Sequence, residues 1–191
     1  MIYTAIYKTV TGFMHFWYKF WFGAKISGLE NIPESGGCVV CGNHISNHDA
    51  VLVASFYPRK CAFMAKKELF VPMFAGLLKK LGGIPVNRGT NDIGAIKASL
   101  RVLKSGNPLV LFPQGTRCKE LKFDDFKNGA PFMAIKTGVP IIPVGISGEY
   151  KLGGGLKMTF GKPIYPDGYQ PTDDALAKEL YKNIEGLVNN G

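Results

Sequence analysis

Short apolar runs alternate along this chain with segments of helical period, and this alternation most constrains its fold. Glycine, proline or polar residues bound each apolar run, and the runs predict buried strands at 37–42, 61–65, 83–87, 108–112, 140–146 and 156–160. Apolar spacing predicts helices at 50–56, 69–81 and 129–137. It predicts two more helices, one that begins after a cap at Thr90 or Asn91 and a final one that begins after a cap at Thr172. Repeated alternation of this kind indicates an α/β fold with a mostly parallel central sheet flanked by helices.

Length and composition favour one domain, or one domain with an appendage. The chain has 191 residues, of which 46% are hydrophobic, so it can bury a core. Glycines and prolines interrupt the pattern near residues 27–34. We therefore divide the chain into an N-terminal amphipathic segment, residues 1–30, and an α/β domain, residues 31–191. Four cysteines are few for a disulfide scaffold and predict buried, reduced thiols.

The N-terminal segment is rich in aromatic residues but resembles neither a membrane span nor a signal peptide. Lys8, His15 and Lys19 interrupt it, whereas a span needs about 20 mostly apolar residues and a signal peptide has its cations first. Helical spacing gathers the polar residues on one narrow face: Thr4, Lys8, Thr11, His15 and Lys19. The wide opposite face is apolar: Ile2, Ile6, Val10, Phe13, Trp17, Phe20 and Trp21. This pattern predicts a helix in a membrane interface; packing on the protein's own core or on a second subunit is the alternative.

The net charge points to an anionic partner. A formal charge of +9 suits nucleic acid, an anionic membrane surface or a phosphorylated substrate. Nucleic acid would leave the apolar N-terminal face unused, and the sequence contains no named nucleic-acid module. Charge alone does not choose between a membrane surface and a phosphorylated substrate. Together with the N-terminal helix it favours peripheral or monotopic attachment to an anionic membrane, which we expect on the cytoplasmic face.

Residues 43–49 (NHISNHD) follow a predicted buried strand and open a helix. Open α/β sheets bind ligands at the carboxyl ends of their strands. A carboxylate in the first helical turn can reach back to His44, fix its tautomer and leave the other ring nitrogen to accept a proton. Such a pair alone is more often a structural hydrogen bond, but its neighbours make His44 and Asp49 the candidate catalytic pair.

Two arginines follow other predicted strand ends. Arg88 closes the segment GIPVNR, and Arg117 closes the turn FPQGTR. Arginines beside exposed backbone N–H groups suit phosphate. Together with His44 and Asp49, they predict a phosphate pocket beside a general base.

These motifs, in this order over residues 35–150, resemble the glycerophospholipid acyltransferase family. Its N-H-x-S-x-x-D motif is matched in full, and a segment centred on G-x-I/F-x-x-R is matched by Gly82/Gly83 through Arg88. The other motifs are F-P-E-G-T-R-S at 112–118, F-K-x-G-A at 126–130 and V-P-I-I-P-V at 139–144. Two positions depart from the family. Gln114 stands in place of Glu and Cys118 in place of Ser, so a carboxylate role at 114 is lost, while hydrogen bonding to an acceptor survives.

The resemblance implies transfer of a fatty acyl group from an acyl carrier protein or coenzyme A thioester to the hydroxyl of 1-acyl-glycerol 3-phosphate, giving phosphatidic acid without a cofactor. It implies that His44 acts as the base, that Asp49 orients it, and that the substrate is bound by Arg88, Gln114, Gly115, Thr116 and Arg117. Two alternatives stay open: another acceptor, such as glycerol 3-phosphate or another lysolipid, and a non-catalytic lipid-binding module on the same fold.

A zinc site is the competing interpretation of the same segment, because Cys38, Cys41, His44 and His48 spell C-x2-C-x2-H-x3-H. Known structural zinc sites have a longer segment between their ligand pairs, and residues three apart on a strand point to opposite faces. We therefore predict no metal. A serine hydrolase is also set aside, because residues 145–149 lack the final glycine of G-x-S-x-G.

Overall fold

A computed structural model describes residues 2–87, 92–118, 120–172 and 174–190, with side chains from residue 5 onward. Seven strands and six helices form within these ranges. The strands are β1 (Lys25–Ser27), β2 (Cys38–Gly42), β3 (Ala62–Lys66), β4 (Gly83–Val86), β5 (Pro108–Leu111), β6 (Ile141–Ser147) and β7 (Lys157–Phe160). The helices are α1 (Ile2–Trp21), α2 (Asp49–Phe56), α3 (Pro72–Lys80), α4 (Ile93–Lys104), α5 (Gly129–Thr137) and α6 (Ala175–Asn189).

The strands form one sheet in the order β1-β7-β6-β2-β5-β3-β4. Neighbouring strands are parallel except β6 and β7, which are antiparallel. The predicted mostly parallel α/β sheet is therefore confirmed. Because β2 lies in the middle, between β5 and β6, the residues that follow it leave the sheet at its centre.

Side chains of β2 alternate between two cores, one on each face of the sheet. Cys38 and Val40 pack with residues of α1 and α2. Val39 and Cys41 pack with residues of α4, α5 and α6. The two cysteines thus point into different cores, as the strand geometry predicts, and each is fully buried.

Two predicted helix caps lie at the wrong residue. Asp92 caps α4 through Oδ1, which accepts the amide of Ala95 at 2.9 Å. Thr90 and Asn91, the predicted caps, lie outside the described residues. Asp174, rather than Thr172, precedes the first turn of α6. Several neighbouring polar residues can each cap a helix, so sequence alone does not choose among them.

The edge strand β1 has no counterpart among the predicted strands. Residues 25–27 pair in parallel with residues 157–159 of β7. Three residues are too few for an alternating pattern to stand out. The domain boundary at residue 30 stays a prediction, and the sheet already includes residues just before it.

The N-terminal helix α1 buries one face against α2 and exposes another. Tyr7 and Tyr18 are buried, and His15 Nδ1 lies 3.2 Å from the carbonyl oxygen of Ser55 in α2. The predicted amphipathic helix is therefore confirmed, and its polar face is partly covered by α2 at His15. Large aromatic side chains cover the exposed face: Phe13, Phe16, Trp17, Phe20 and Trp21. Among the described residues, no helix combines the length and the apolar character that crossing a bilayer demands.

Candidate active site

Asn43 fixes the point at which the chain leaves β2. Its side-chain amide donates to the carbonyl oxygen of Ile146 at 2.8 Å, and the amide of Ile146 donates back to Asn43 Oδ1 at 2.8 Å. This paired bond joins the end of β2 to the neighbouring strand β6. The next residue, His44, therefore starts from a rigid position at the carboxyl edge of the sheet.

Asp49, the first residue of α2, is fully buried and accepts four hydrogen bonds. His44 Nδ1 lies 2.7 Å from Asp49 Oδ2, and the amides of Ile45 and Ser46 donate to the same oxygen at 2.7 and 2.8 Å. The hydroxyl of Tyr150 donates to Oδ1 at 2.7 Å. These donors offset the high free-energy cost of burying a carboxylate. The structure thus brings His44 and Asp49 together, as the motif predicts.

The imidazole of His44 is oriented as a proton acceptor. An ionised carboxylate only accepts hydrogen bonds, so the neutral ring carries its proton on Nδ1 and leaves Nε2 with a free lone pair. The ring also stacks on Phe112, with 4.3 Å between ring centroids and 11° between planes. Stacking and the Asp49 bond together fix both the tautomer and the plane of the ring.

The turn after β5 holds the backbone of His44 from both sides. The amide of His44 donates to Gln114 Oε1 at 2.9 Å, and the amide of Cys118 donates to the carbonyl oxygen of His44 at 2.9 Å. Gln114 is 4% exposed, so its carbonyl oxygen serves the backbone of the base. A glutamate oxygen can accept the same bond, which explains how Gln replaces Glu here. The predicted contact of Gln114 with substrate stays a prediction.

The other predicted substrate-binding residues lie on the same turn, with one exception. Gly115 lines the cavity that contains His44 and has a φ of +68°, which favours glycine. Thr116 and Arg117 are exposed immediately before Cys118. Arg88 lies outside the described residues.

An apolar cavity of about 230 Å³ opens beside His44. Strands and helices on the β4 side of the sheet supply its apolar wall: Met64, Val86, Ile96, Leu111, Phe112 and Met133. Polar groups stand among these side chains, namely Asn87, Asp92 and Lys127. Hydrocarbon walls with a few polar groups beside a base are suited to an amphiphilic substrate.

Sequence reasoning missed Lys127 and Tyr150 as site residues. Lys127 lines the cavity, and its Nζ lies beside Gly115, 3.1 Å from the position a Cβ would take there. The signal for it was present, since Lys127 belongs to the F-K-x-G-A match. Tyr150 follows Asp49 by 101 residues, and no local pattern links the two.

Comparison with known proteins places this site in a family. The family described as Acyltransferase matches residues 23–147 of the chain. The 1-acyl-sn-glycerol-3-phosphate acyltransferase of Bacillus subtilis is 31% identical over 179 residues, which cover 87% of this chain and 89% of that protein. The chain belongs to the acyltransferase family.

Other acyltransferases resemble the chain in sequence and in fold. The chloroplastic 1-acyl-sn-glycerol-3-phosphate acyltransferase BAT2 of Brassica napus is 31% identical over 175 residues, and the match spans 80% of this chain but 51% of that relative. The crystal structure of the 1-acyl-sn-glycerophosphate (LPA) acyltransferase PlsC from Thermotoga maritima matches with a TM-score of 0.78 and 27% identity, covering 99% of this chain and 79% of that one. The whole described α/β architecture is therefore that of an acyltransferase.

Proposed function

We propose that this protein moves a fatty acyl group from an acyl thioester to the free hydroxyl of 1-acyl-glycerol 3-phosphate, giving phosphatidic acid. The observation that carries the proposal is the 2.7 Å bond between His44 Nδ1 and buried Asp49, placed beside an apolar cavity. The family membership and the printed names of the relatives from Bacillus subtilis and Thermotoga maritima support it.

His44 acts as the general base of the proposed reaction. Its Nε2 takes the proton of the acceptor hydroxyl while the hydroxyl oxygen bonds to the thioester carbonyl carbon. Collapse of the tetrahedral intermediate breaks the carbon–sulfur bond, and the leaving thiolate recovers the proton from the imidazolium. Asp49 stabilises the imidazolium and, in this role, stays ionised throughout.

The apolar cavity suits the hydrocarbon part of a substrate. Its wall combines flexible methionines with branched side chains, and it meets the polar turn of residues 113–117 beside His44. An acyl chain placed there carries its reactive carbonyl toward the base. The thioester of the acyl donor belongs to acyl carrier protein or to coenzyme A.

Cations of the matched motifs suit the phosphate of the acceptor. Lys127 lines the cavity, and Arg117 is exposed on the turn that holds His44. Arg88, from the second motif, is the third candidate. Holding the phosphate fixes the distance between the acceptor hydroxyl and the base, which accelerates the reaction by proximity.

Exposed aromatic side chains support peripheral attachment to a membrane, where the lysolipid resides. Phe16 of α1 is 63% exposed and Phe20 is 72% exposed. Helix α3 contacts α1 and exposes Met73 and Phe74 by 80% and 49%. Adjacent apolar faces on a protein of net charge +9 fit an anionic bilayer surface.

Lipid products identify the reaction. Purified protein is given a mixture of 1-acyl-glycerol 3-phosphate, glycerol 3-phosphate and neutral lysolipids, with either acyl-carrier-protein or coenzyme A thioesters, and the products are resolved by mass spectrometry. The expected product is phosphatidic acid. If another acceptor is acylated instead, that acceptor is the substrate and the proposal is wrong. If the protein binds lysophosphatidate but does not consume it, the protein is a lipid-binding module.

The His44→Ala variant tests the base directly. Because general base catalysis contributes about a hundred- to ten-thousand-fold, turnover should fall at least ~100-fold while circular dichroism stays unchanged. His15→Ala removes an imidazole that contacts α2 and serves as the matched control. Near-normal turnover of folded His44→Ala removes His44 from its proposed role.

A further inference from the structure

Asp49 receives one hydrogen bond from a distant part of the chain. His44, Ile45 and Ser46 all donate to Oδ2, whereas Tyr150 donates to Oδ1 at 2.7 Å. Tyr150 therefore contacts the oxygen that the local donors do not use. It also fixes the carboxylate in rotation, because bonds to both oxygens define the plane of the group.

The loop after β6 holds Tyr150 in place. The amide of Glu149 donates to the carbonyl oxygen of Gly154 at 2.9 Å, and the amide of Gly154 donates to that of Lys151 at 3.0 Å. Gly148 has a φ of +81°, and a Cβ there would lie 2.4 Å from the carbonyl oxygen of Gly155. The loop is thus closed on itself directly after the strand that Asn43 binds.

Helix α1 and the residue directly after it pack against the ring of Tyr150. Tyr18 and Phe22 both meet it edge-on, each with 6.1 Å between ring centroids, at interplanar angles of 70° and 81°. The hydroxyl of Tyr18, itself fully buried, lies 3.2 Å from His48 Nδ1, next to Asp49 in the chain. The helix with the exposed aromatic face therefore reaches the His44–Asp49 pair through Tyr150.

We infer that Tyr150 is a positioning residue for the proposed acyl transfer, acting through Asp49 on the proton affinity of His44. The inference rests on the proposed role of His44 as base. Burial and the Asp49 charge raise the pKa of Tyr150 well above its usual range, so its hydroxyl stays protonated and donates. The hydrogen bond from this hydroxyl stabilises the negative charge of Asp49 and so reduces the attraction between Asp49 and a protonated His44.

Removal of the Tyr150 hydroxyl should raise the proton affinity of His44. Without the Tyr150 hydroxyl, Asp49 attracts the imidazolium form of His44 more strongly, so the ring releases its proton at a higher pH. A base must be neutral to accept a proton, and activity on the acid side therefore falls. Titratable or charged groups on the elements packed around the pair include Tyr18, His48, Asp92, Arg117, Cys118, Glu120 and Lys127. Because Tyr150→Phe leaves the identity of all of them unchanged and removes one hydroxyl, a difference between the proteins reports on that hydroxyl.

The test is an NMR titration of the His44 ring in isotope-labelled protein. Tyr150→Phe keeps the ring and removes the hydroxyl. Tyr181→Phe is the matched control, because its hydroxyl donates to the Glu185 carboxylate at 2.7 Å on α6. We expect the His44 titration midpoint to move about 0.5 to 1 higher in pH in Tyr150→Phe and to stay in place in Tyr181→Phe. An unmoved midpoint in folded Tyr150→Phe overturns the inference, since a purely structural tyrosine would lower the melting temperature without changing proton release.

Kinetics provide the second readout. In Tyr150→Phe the acid limb of kcat/KM should move in the same direction. The Asp49 carboxylate also loses the bond to Oδ1 that fixes its rotation, so His44 is held less firmly and kcat should fall about 3- to 10-fold, while the KM for lysophosphatidate changes less than about twofold. A wild-type protein that transfers no acyl group refutes the proposed function, whereas the NMR titration still decides the role of Tyr150. The two failures are therefore distinguishable.

Discussion

At the residue scale, the candidate site depends on backbone hydrogen bonds as much as on its catalytic pair. Gln114, Cys118 and Asn43 each bind main-chain groups within or beside the 43–49 segment. Their bonds fix where His44 begins, so that the Asp49 carboxylate meets Nδ1 at 2.7 Å. The motif residues beside a catalytic residue can therefore serve to hold its backbone in place.

Gln114→Leu should destabilise the fold. The substitution keeps the size of the side chain but leaves the buried amide of His44 without its acceptor, which costs about 1–3 kcal/mol in the free energy of unfolding. Urea denaturation measures the loss. Gln170→Leu, at an exposed position, is the control and should stay within about 0.5 kcal/mol of the wild type. Equal stabilities of the two variants would show that the bond to His44 does not hold the turn.

Arg117→Ala should weaken binding of the phosphorylated acceptor. Loss of a charge-assisted hydrogen bond corresponds to a rise of about 10- to 100-fold in the KM for lysophosphatidate, with a smaller effect on the KM for the acyl donor. Steady-state kinetics with each substrate varied in turn separate the two constants. Arg101→Ala removes an exposed cation on α4 and controls for net charge. A larger effect on the donor would place Arg117 away from the phosphate.

At the element scale, most helices and strands could be predicted from the sequence because their signals are local. The predicted helix at 129–137 matches α5 at both ends, and the strand at 83–87 matches β4 within one residue. The packing face of α1 could not be predicted. His15 reads as polar by spacing, yet it contacts Ser55, because pairing of α1 with α2 depends on residues 40 apart in the chain.

The same distinction applies to the candidate site. The His44–Asp49 contact spans five residues and one turn, so the motif alone predicts it. Tyr150 contacts Asp49 from the loop after β6, the neighbour of β2, and Lys127 lines the cavity from the segment before α5. Contacts of this range depend on strand order, which periodicity does not specify.

The exposed aromatic face of α1 should supply much of the protein's affinity for lipid vesicles. Phe16 and Phe20 stack with 5.4 Å between ring centroids and are mostly exposed. Phe16→Ser with Phe20→Ser should reduce binding to lipid vesicles at least about 10-fold, because each phenyl ring loses its burial in the bilayer. Sedimentation with vesicles measures this binding. Thermal unfolding should stay unchanged, since both side chains are at the surface.

A second pair of substitutions controls for loss of surface hydrophobicity in general. Leu152→Ser with Tyr165→Ser removes side chains that are 74% and 59% exposed outside α1 and α3. This control should bind vesicles like the wild type. Equal losses in both double variants would mean that the α1 face has no special role at the membrane.

At the scale of the whole molecule, one helix serves both the surface and the interior. Helix α1 exposes aromatic side chains on one face, and on another its Tyr18 packs against Tyr150, as does Phe22 directly after the helix. A membrane that binds the exposed face therefore acts on the same rigid element that supports the Asp49 carboxylate. Under the proposed membrane attachment, the bilayer contacts one face of α1, while Tyr18 on another face contacts Tyr150, which donates to Asp49.

The net charge of +9 should act together with that apolar face, and ionic strength separates the two contributions. Charges near an anionic bilayer each contribute about 1 kcal/mol, whereas apolar burial does not depend on salt screening. Binding to vesicles with anionic lipid should exceed binding to neutral vesicles at 0.1 M NaCl. At 1 M NaCl, where the screening length falls from about 10 Å to about 3 Å, the two affinities should converge on that of the neutral vesicles.

Lys8→Ala with Lys19→Ala, both exposed on α1, should reduce the excess of binding to anionic over neutral vesicles and leave binding to neutral vesicles unchanged. Anionic binding that ignores salt would show that the apolar face acts alone.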